Sequence, residues 1–186
     1  MKKLVIYFCF SLFPCLVFAQ PNANKQRPTV DIEYDTDLAV GKQFLSFSAV
    51  TLDGETVNEQ SLKGKVTLVN FWFEGCPPCV AEFDAISSLY CKYKDNPNIE
   101  VISFTKDDTE VARKAVKDHG IPYAVCALSS KECSRLKFEI GGYPANMIVD
   151  KQGNIVYLHT GGYADKEKAV SHILEVEKKM LEELAK

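Results

Sequence analysis

The sequence has 186 residues, with 22 Lys+Arg against 25 Asp+Glu and a formal net charge of −3. Its mild acidity gives no electrostatic reason to bind nucleic acid or an anionic membrane surface. With 46% hydrophobic residues it can bury a core of single-domain size, which excludes a wholly disordered chain.

Met1-Lys2-Lys3 is a short basic start, residues 4–18 are almost wholly apolar, and Val17-Phe18-Ala19 precedes Gln20. This is the pattern of a secretory signal peptide over residues 1–19, with cleavage expected after Ala19 and a periplasmic location for the product. The alternative is a retained membrane anchor. Against it, the run is shorter than the roughly 20 residues that span a bilayer, and Pro14 lies inside it. Acylation at Cys15 would need small residues before it, and Phe13-Pro14 stand there. Loss of this segment leaves five of the seven cysteines, Cys76, Cys79, Cys91, Cys126 and Cys133, and lowers the net charge to −5.

Residues 20–37 are polar and carry Pro21 and Pro28, as expected of a flexible lead, and residues 38–186 form the expected folded domain. Residues 43–57 alternate weakly around Asp53-Gly54, which predicts an added strand or hairpin. Ser61–Lys65 leads into the next strand.

Residues 66–73 form an apolar run rich in β-branched and aromatic side chains and predict a buried strand. Glu74-Gly75 is a turn, followed by Cys76-Pro77-Pro78-Cys79. From there Val80, Phe83, Ile86, Leu89, Tyr90 and Tyr93 mark one face of a helix. Cys76 is thereby placed at a helix N-terminus, where free amides and the helix dipole favour a thiolate. Cys79 lies one turn on. Such a pair can close a disulfide and reopen it, Cys76 attacking a partner and Cys79 resolving the mixed disulfide. The plain alternative is two core cysteines or half of a zinc site, but no second close pair exists to complete a four-cysteine site.

Asp95–Asn98 is a turn, and residues 99–104 alternate as a strand. Asp107 with Glu110 predicts a helix start and Gly120 its stop, with Val111, Ala112, Ala115 and Val116 as the apolar face. This β-α-β order predicts parallel pairing. Residues 123–127 predict a short strand. Ser129 with Glu132 caps a short helix carrying Cys133, Leu136 and Ile140. Residues 146–149 and 155–158 predict an antiparallel hairpin. Asp165 caps a last helix whose apolar residues are Ala169, Val170, Ile173, Leu174, Met180, Leu181 and Leu184.

Asn70-Phe71-Trp72, then Cys76-Pro77-Pro78-Cys79, then Gly142-Tyr143-Pro144 give the chain its resemblance. Over residues 40–186 it resembles the thioredoxin superfamily, and more narrowly the TlpA/ResA branch of extracytoplasmic thiol-disulfide oxidoreductases. The resemblance implies an α/β thioredoxin-like fold, a central mixed sheet flanked by helices with an N-terminal strand or hairpin addition. It implies catalysis by Cys76 and Cys79, a cis Pro144 opposite them, and substrate binding by Tyr143, Pro144 and Trp72. It also implies that the protein reduces disulfides of exported proteins, including apocytochrome c, and is recharged by a membrane thiol-reducing donor. The family commonly has Trp before the first cysteine. Gly75 stands there and leaves the surface beside the thiol more open.

In thioredoxin proper the position of Asn70 is a buried Asp. An amide cannot titrate, so Glu82, three residues after Cys79, is the candidate acid-base residue; the ResA-like proteins carry a Glu at this offset, near the cysteine pair. The plain reading is a solvated surface Glu. Glu74, on the turn, can raise the Cys76 thiol by charge repulsion or be an ordinary surface residue. Cys91 reads as a small buried hydrophobe. Cys126 and Cys133 read either as a structural disulfide or as two reduced core thiols, and they are expected to lie close enough to bond. His119, His159 and His172 make no ligand spacing, so neither a metal nor a cofactor is expected. Within the class the runner-up is a net oxidase or isomerase. Outside it the competitor is a copper-binding or structural module of the same fold, although copper delivery wants Cys-x-x-x-Cys and a distal His.

Overall fold

The strand at residues 66–72 is buried at every position, and the molecule is built outward from it. The computed structural model describes residues 36–186; the expected signal peptide and most of the expected lead lie outside the described residues. In chain order the elements are β1 (Ser48–Val50), β2 (Thr56–Asn58), α1 (Glu59–Leu62), β3 (Val66–Trp72), α2 (Pro77–Tyr93), β4 (Ile99–Thr105) and α3 (Thr109–His119). There follow β5 (Ala124–Ala127), α4 (Ser130–Leu136), β6 (Ala145–Val149), β7 (Ile155–Thr160) and α5 (Lys166–Leu184).

Five strands form one sheet in the order β5-β4-β3-β6-β7. β3 pairs in parallel with β4, and β4 with β5, while β3–β6 and β6–β7 are antiparallel. The mixed sheet follows from the connections. The crossovers through α2 and α3 return the chain parallel, the connection through α4 brings β6 in antiparallel, and the tight turn at residues 150–154 reverses the chain again into β7. Side chains alternate across β3. Leu68 and Trp72 join the core under α2, α3 and α5, whereas Val69 and Phe71 face the opposite core with Phe104, Met147 and Leu136.

β1 and β2 make the expected hairpin as a separate two-stranded sheet. It touches the main sheet through a bridge between Thr51 and Cys126 and a bond from Leu52 N–H to the Val125 carbonyl at 2.8 Å. The one-turn helix α1 was not expected. It exists because Asn58 and Ser61 cap one another reciprocally, each side chain bonding the other's backbone.

Three local expectations are corrected. The N-cap of α3 is Asp108, whose carboxylate accepts from Glu110 and Val111 N–H at 3.0 and 2.9 Å. Asp107 instead accepts from Glu74 N–H at 2.7 Å and Thr105 Oγ1 at 3.0 Å. In α3 only Ala112 and Ala115 are buried; Val111 is exposed. On α5 the buried stripe is Ala169, His172, Ile173, Val176 and Met180, and Leu174 and Leu181 are exposed.

Candidate active site

Pro77 opens α2 at a position whose N–H has no intrahelical partner, so the helix can begin immediately after Cys76. Cys76 is the N-cap residue. Its N–H donates to the Phe73 carbonyl at 3.2 Å, and its sulfur accepts from Cys79 N–H at 3.3 Å. Cys76 and Cys79 are joined by a disulfide, with Cα atoms 5.3 Å apart. Cys79 is 1% exposed and Cys76 4%, so Cys76 is the nearer to solvent. Pro77 and Pro78 carry no N–H, so the Cys79 amide is the one that donates to that sulfur, and together with the positive end of a 17-residue helix it stabilises a thiolate once the bond is opened.

Glu82 is fully buried on the same face of α2 as Cys79 and Phe83, which corrects the surface-residue alternative. One carboxylate oxygen, Oε2, accepts from the Asn146 side-chain amide at 2.9 Å, and Oε1 has no partner among the described residues. Burial pushes the carboxyl up to about 7, against which the Asn146 bond acts to lower it. Asn146 Oδ1 in turn accepts from Asn70 Nδ2 at 2.8 Å. Asn70 thus orients Asn146, and Asn146 orients Glu82.

The Tyr143–Pro144 peptide bond is cis. The Pro144 carbonyl accepts from Gly161 N–H at 2.8 Å. A side chain at Gly162 would meet Pro144 Cγ at 2.8 Å and Glu82 Oε1 at 3.1 Å. The loop after β7 therefore approaches both, and the fold brings Pro144 and Glu82 to the same spot. Tyr143 is half-buried, and its backbone N–H and carbonyl are free of hydrogen bonds among the described residues. Its ring meets Phe73 edge to face at 5.4 Å.

Trp72 has no exposed surface, so it cannot meet a bound substrate directly. Its indole N–H donates to Ser103 Oγ at 3.1 Å and its ring packs edge to face on Phe83 at 5.1 Å. It supports α2 from beneath. Glu74 faces His119 at 3.4 Å, and His119 lies 5.2 Å from the Phe83 ring, giving that histidine a place beside the turn that its sequence position did not suggest.

The other cysteines divide. Cys126 and Cys133 are both buried and free, and burial pushes their thiols up to about 12 and about 11. The bond expected between them is not formed, and two reduced core thiols is the reading observed. Cys91 is exposed, against expectation, because it falls one residue past the stripe of Ile86, Leu89 and Tyr90. Among the described residues no group of three or more His, Cys, Asp or Glu is placed to hold a metal ion.

Sequence reasoning missed Asn146, Phe73, Lys106, Lys137 and Gly162. For Asn146 a signal existed, since an amide within an apolar strand run demands a buried partner.

The family model that matches the chain is Redoxin, over residues 39–174. The thiol-disulfide oxidoreductase ResA of Bacillus thuringiensis (strain Al Hakam) is 31% identical over 120 residues, 64% of this chain and 68% of that one. The thioredoxin-like protein YneN of Bacillus subtilis (strain 168) is 33% identical over 129 residues, covering 68% and 75%. The thiol:disulfide interchange protein DsbE of Yersinia pestis is 28% identical over 166 residues, covering 87% and 84%. Among solved structures, a thiol:disulfide interchange protein from Bacteroides sp. superposes with TM-score 0.63 at 25% identity, covering 77% of this chain and 91% of that one. One from Chlorobium tepidum TLS gives 0.60 at 26%, covering 75% and 97%. The mixed central sheet with its flanking helices and N-terminal hairpin is thus a thioredoxin-like fold.

Proposed function

The chain belongs to the Redoxin family as a ResA/DsbE-like thiol-disulfide oxidoreductase, and on that premise we propose that it is an exported dithiol reductase acting on disulfides of other exported proteins. The observation that carries the reading is the redox-closed Cys76–Cys79 pair at a helix N-terminus with a buried, elevated carboxyl one turn away. In the reduced protein the Cys76 thiolate attacks one sulfur of a substrate disulfide, and the other substrate sulfur leaves as a thiolate. Glu82 accepts the Cys79 proton, directly or through water. The Cys79 thiolate then attacks Cys76 Sγ, releases the second substrate sulfur and closes the Cys76–Cys79 bond. Two electrons pass to the substrate, and its two thiolates take up protons.

Tyr143 and Pro144 line the position of the substrate chain, with the free backbone groups of Tyr143 available to an extended peptide. The signal-peptide pattern at residues 1–19 supports action outside the cytoplasm. An oxidising compartment then requires a membrane thiol donor to reopen the disulfide after each turnover. Apocytochrome c cysteines are among the substrates the ResA-type resemblance favours.

Two variants test the division of labour. Cys79→Ser accumulates mixed disulfides through Cys76, because nothing resolves them, and Cys76→Ser abolishes exchange. Near wild-type reduction of a model disulfide by Cys76→Ser would overturn the assignment. A reduction potential measured against glutathione fixes the direction. A potential well above the glutathione poise would make the protein a net oxidant instead.

A further inference from the structure

Beside the disulfide, two lysines stand over one tyrosine. Lys106 Nζ lies 3.9 Å from the centre of the Phe73 ring and 5.1 Å from that of Tyr143, and Lys137 Nζ lies 3.8 Å from the Tyr143 ring. The two ammonium groups are therefore within about 9 Å of each other. Neither forms an ion pair among the described residues. The nearby carboxylates point elsewhere: Asp107 accepts from the Glu74 amide and the Thr105 hydroxyl, Glu74 faces His119 at 3.4 Å, and Glu139 accepts from the Ser134 hydroxyl at 2.6 Å.

This corner holds two ammonium groups that lack a direct ion pair among the described residues, with the charges of Asp107 and Glu139 nearby but not in contact. Lysine is almost never fully buried without a charged partner, yet Lys137 is 2% exposed and its one hydrogen bond goes to the Gly142 carbonyl at 2.6 Å. Burial and the like charge of Lys106 push Lys137 down to about 8, partly offset by Cys133 and Glu139. The corner's location is specific. Phe73 precedes the active-site turn and its ring lies 3.5 Å from where a Gly75 side chain would begin, while Tyr143 precedes Pro144. The Phe73–Tyr143 contact therefore joins the two segments between which a substrate would lie, and Lys106, half-buried, is the cation at that junction that solvent still reaches.

We propose that Lys106, standing on the Phe73 and Tyr143 rings, is a specificity subsite for a carboxylate, so that the protein selects disulfides with an aspartate or glutamate next to the reacting cysteine. Lys137 is the positioning residue. It holds Gly142 and Tyr143 from within and adds to the field without touching the ligand. An incoming carboxylate supplies the direct ion pair that Lys106 lacks among the described residues, and the aromatic floor keeps the pair partly dehydrated, which strengthens it. The inference rests on the disulfide-exchange reading and deepens it.

The test uses three disulfide peptides alike except for Glu, Gln or Lys beside the cysteine, with kcat/KM measured for the reduced protein. Wild type favours Glu over Gln by about two- to fivefold, the size of a partly exposed ion pair, and Lys is worst. Lys106→Met abolishes the Glu:Gln preference and Lys106→Glu inverts the Glu:Lys order. Because each variant is read as a ratio between peptides, a general loss of activity does not mimic the result. Equal kcat/KM for Glu and Gln in wild type, or an unchanged ratio in Lys106→Met, overturns the subsite and leaves the exchange reading standing. Failure of wild type to reduce any of the peptides overturns the exchange reading itself.

Discussion

Asn146 donates its side-chain amide to Glu82 at 2.9 Å, across 64 positions of sequence and between the antiparallel strand that follows Pro144 and the helix that carries both cysteines. This bond opposes the burial that raises the Glu82 carboxyl, so it sets where between acid and base that group is poised.

Two substitutions therefore move the exchange profile in different ways. Glu82→Gln keeps the shape of the site and the Asn146 contact but cannot accept a proton. Resolution by Cys79 slows by about ten- to a hundredfold, the low end of general acid-base effects, while first attack by Cys76 changes little. Asn146→Ala removes the donor, the Glu82 carboxyl rises above about 7, and the rate profile shifts to higher pH. Stopped-flow exchange across pH resolves both steps. Superimposable profiles for wild type and Glu82→Gln would return Glu82 to a structural role.

The thiols give a second, direct check on the fold. The oxidised protein without residues 1–19 carries Cys91, Cys126 and Cys133 free and only Cys91 exposed. A maleimide reagent labels one thiol in the native protein and three after denaturation. One thiol after denaturation would mean that Cys126 and Cys133 are bonded, against the structure.

What the sequence revealed here were features with a local cause. The periodicity of residues 66–93, the strand-turn-helix setting of Cys76, and the caps at Ser129 and Asp165 are all visible within one or two turns of chain, and all are found. Neighbouring alternatives are harder. Asp107 and Asp108 are both competent caps, and the choice between them is made by Glu74, 33 residues away, whose amide takes Asp107. Cys91 was misplaced by one residue of helical phase. The burial of Glu82, its link to Asn146 and the two lysines over Tyr143 are products of long-range packing. No periodicity encodes them.

Gly162 is a steric test of how tightly the two halves of the site are held. A methyl group there meets the Pro144 ring at 2.8–3.0 Å and Glu82 Oε1 at 3.1 Å, and the proline backbone is already tied to Gly161. Gly162→Ala must push the Pro144 loop away or displace the Glu82 carboxyl. Overpacking of this kind costs about 1–3 kcal/mol. The expected result is a lower urea midpoint together with a raised KM for peptide disulfides. A wild-type midpoint and KM would show that the loop gives way freely and is not a fixed wall of the site.

Glu82 also ties stability to pH in a direction opposite to an ordinary paired carboxylate. Its folded-state value, about 7, lies above the ordinary value of 4.5, so the folded protein holds this proton more tightly than the unfolded chain does. Below pH 4.5 both states are protonated and no penalty exists. Between 4.5 and about 7 the unfolded state ionises first, and stability falls as pH rises; above about 7 the penalty is complete. Its full size is on the order of 3 kcal/mol as an upper bound. Glu82→Gln removes the penalty, so the variant gains on wild type progressively from pH 4.5 to 8. His172, held by burial at about 4, changes stability with pH in the opposite sense, but it is common to both proteins and cancels in the difference. Urea unfolding of the two oxidised proteins at pH 4.5, 6 and 8 supplies that difference. A gap that stays constant across the three pH values would mean that Glu82 ionises at its ordinary value, and that the carboxyl is not poised for the proton transfer assigned to it.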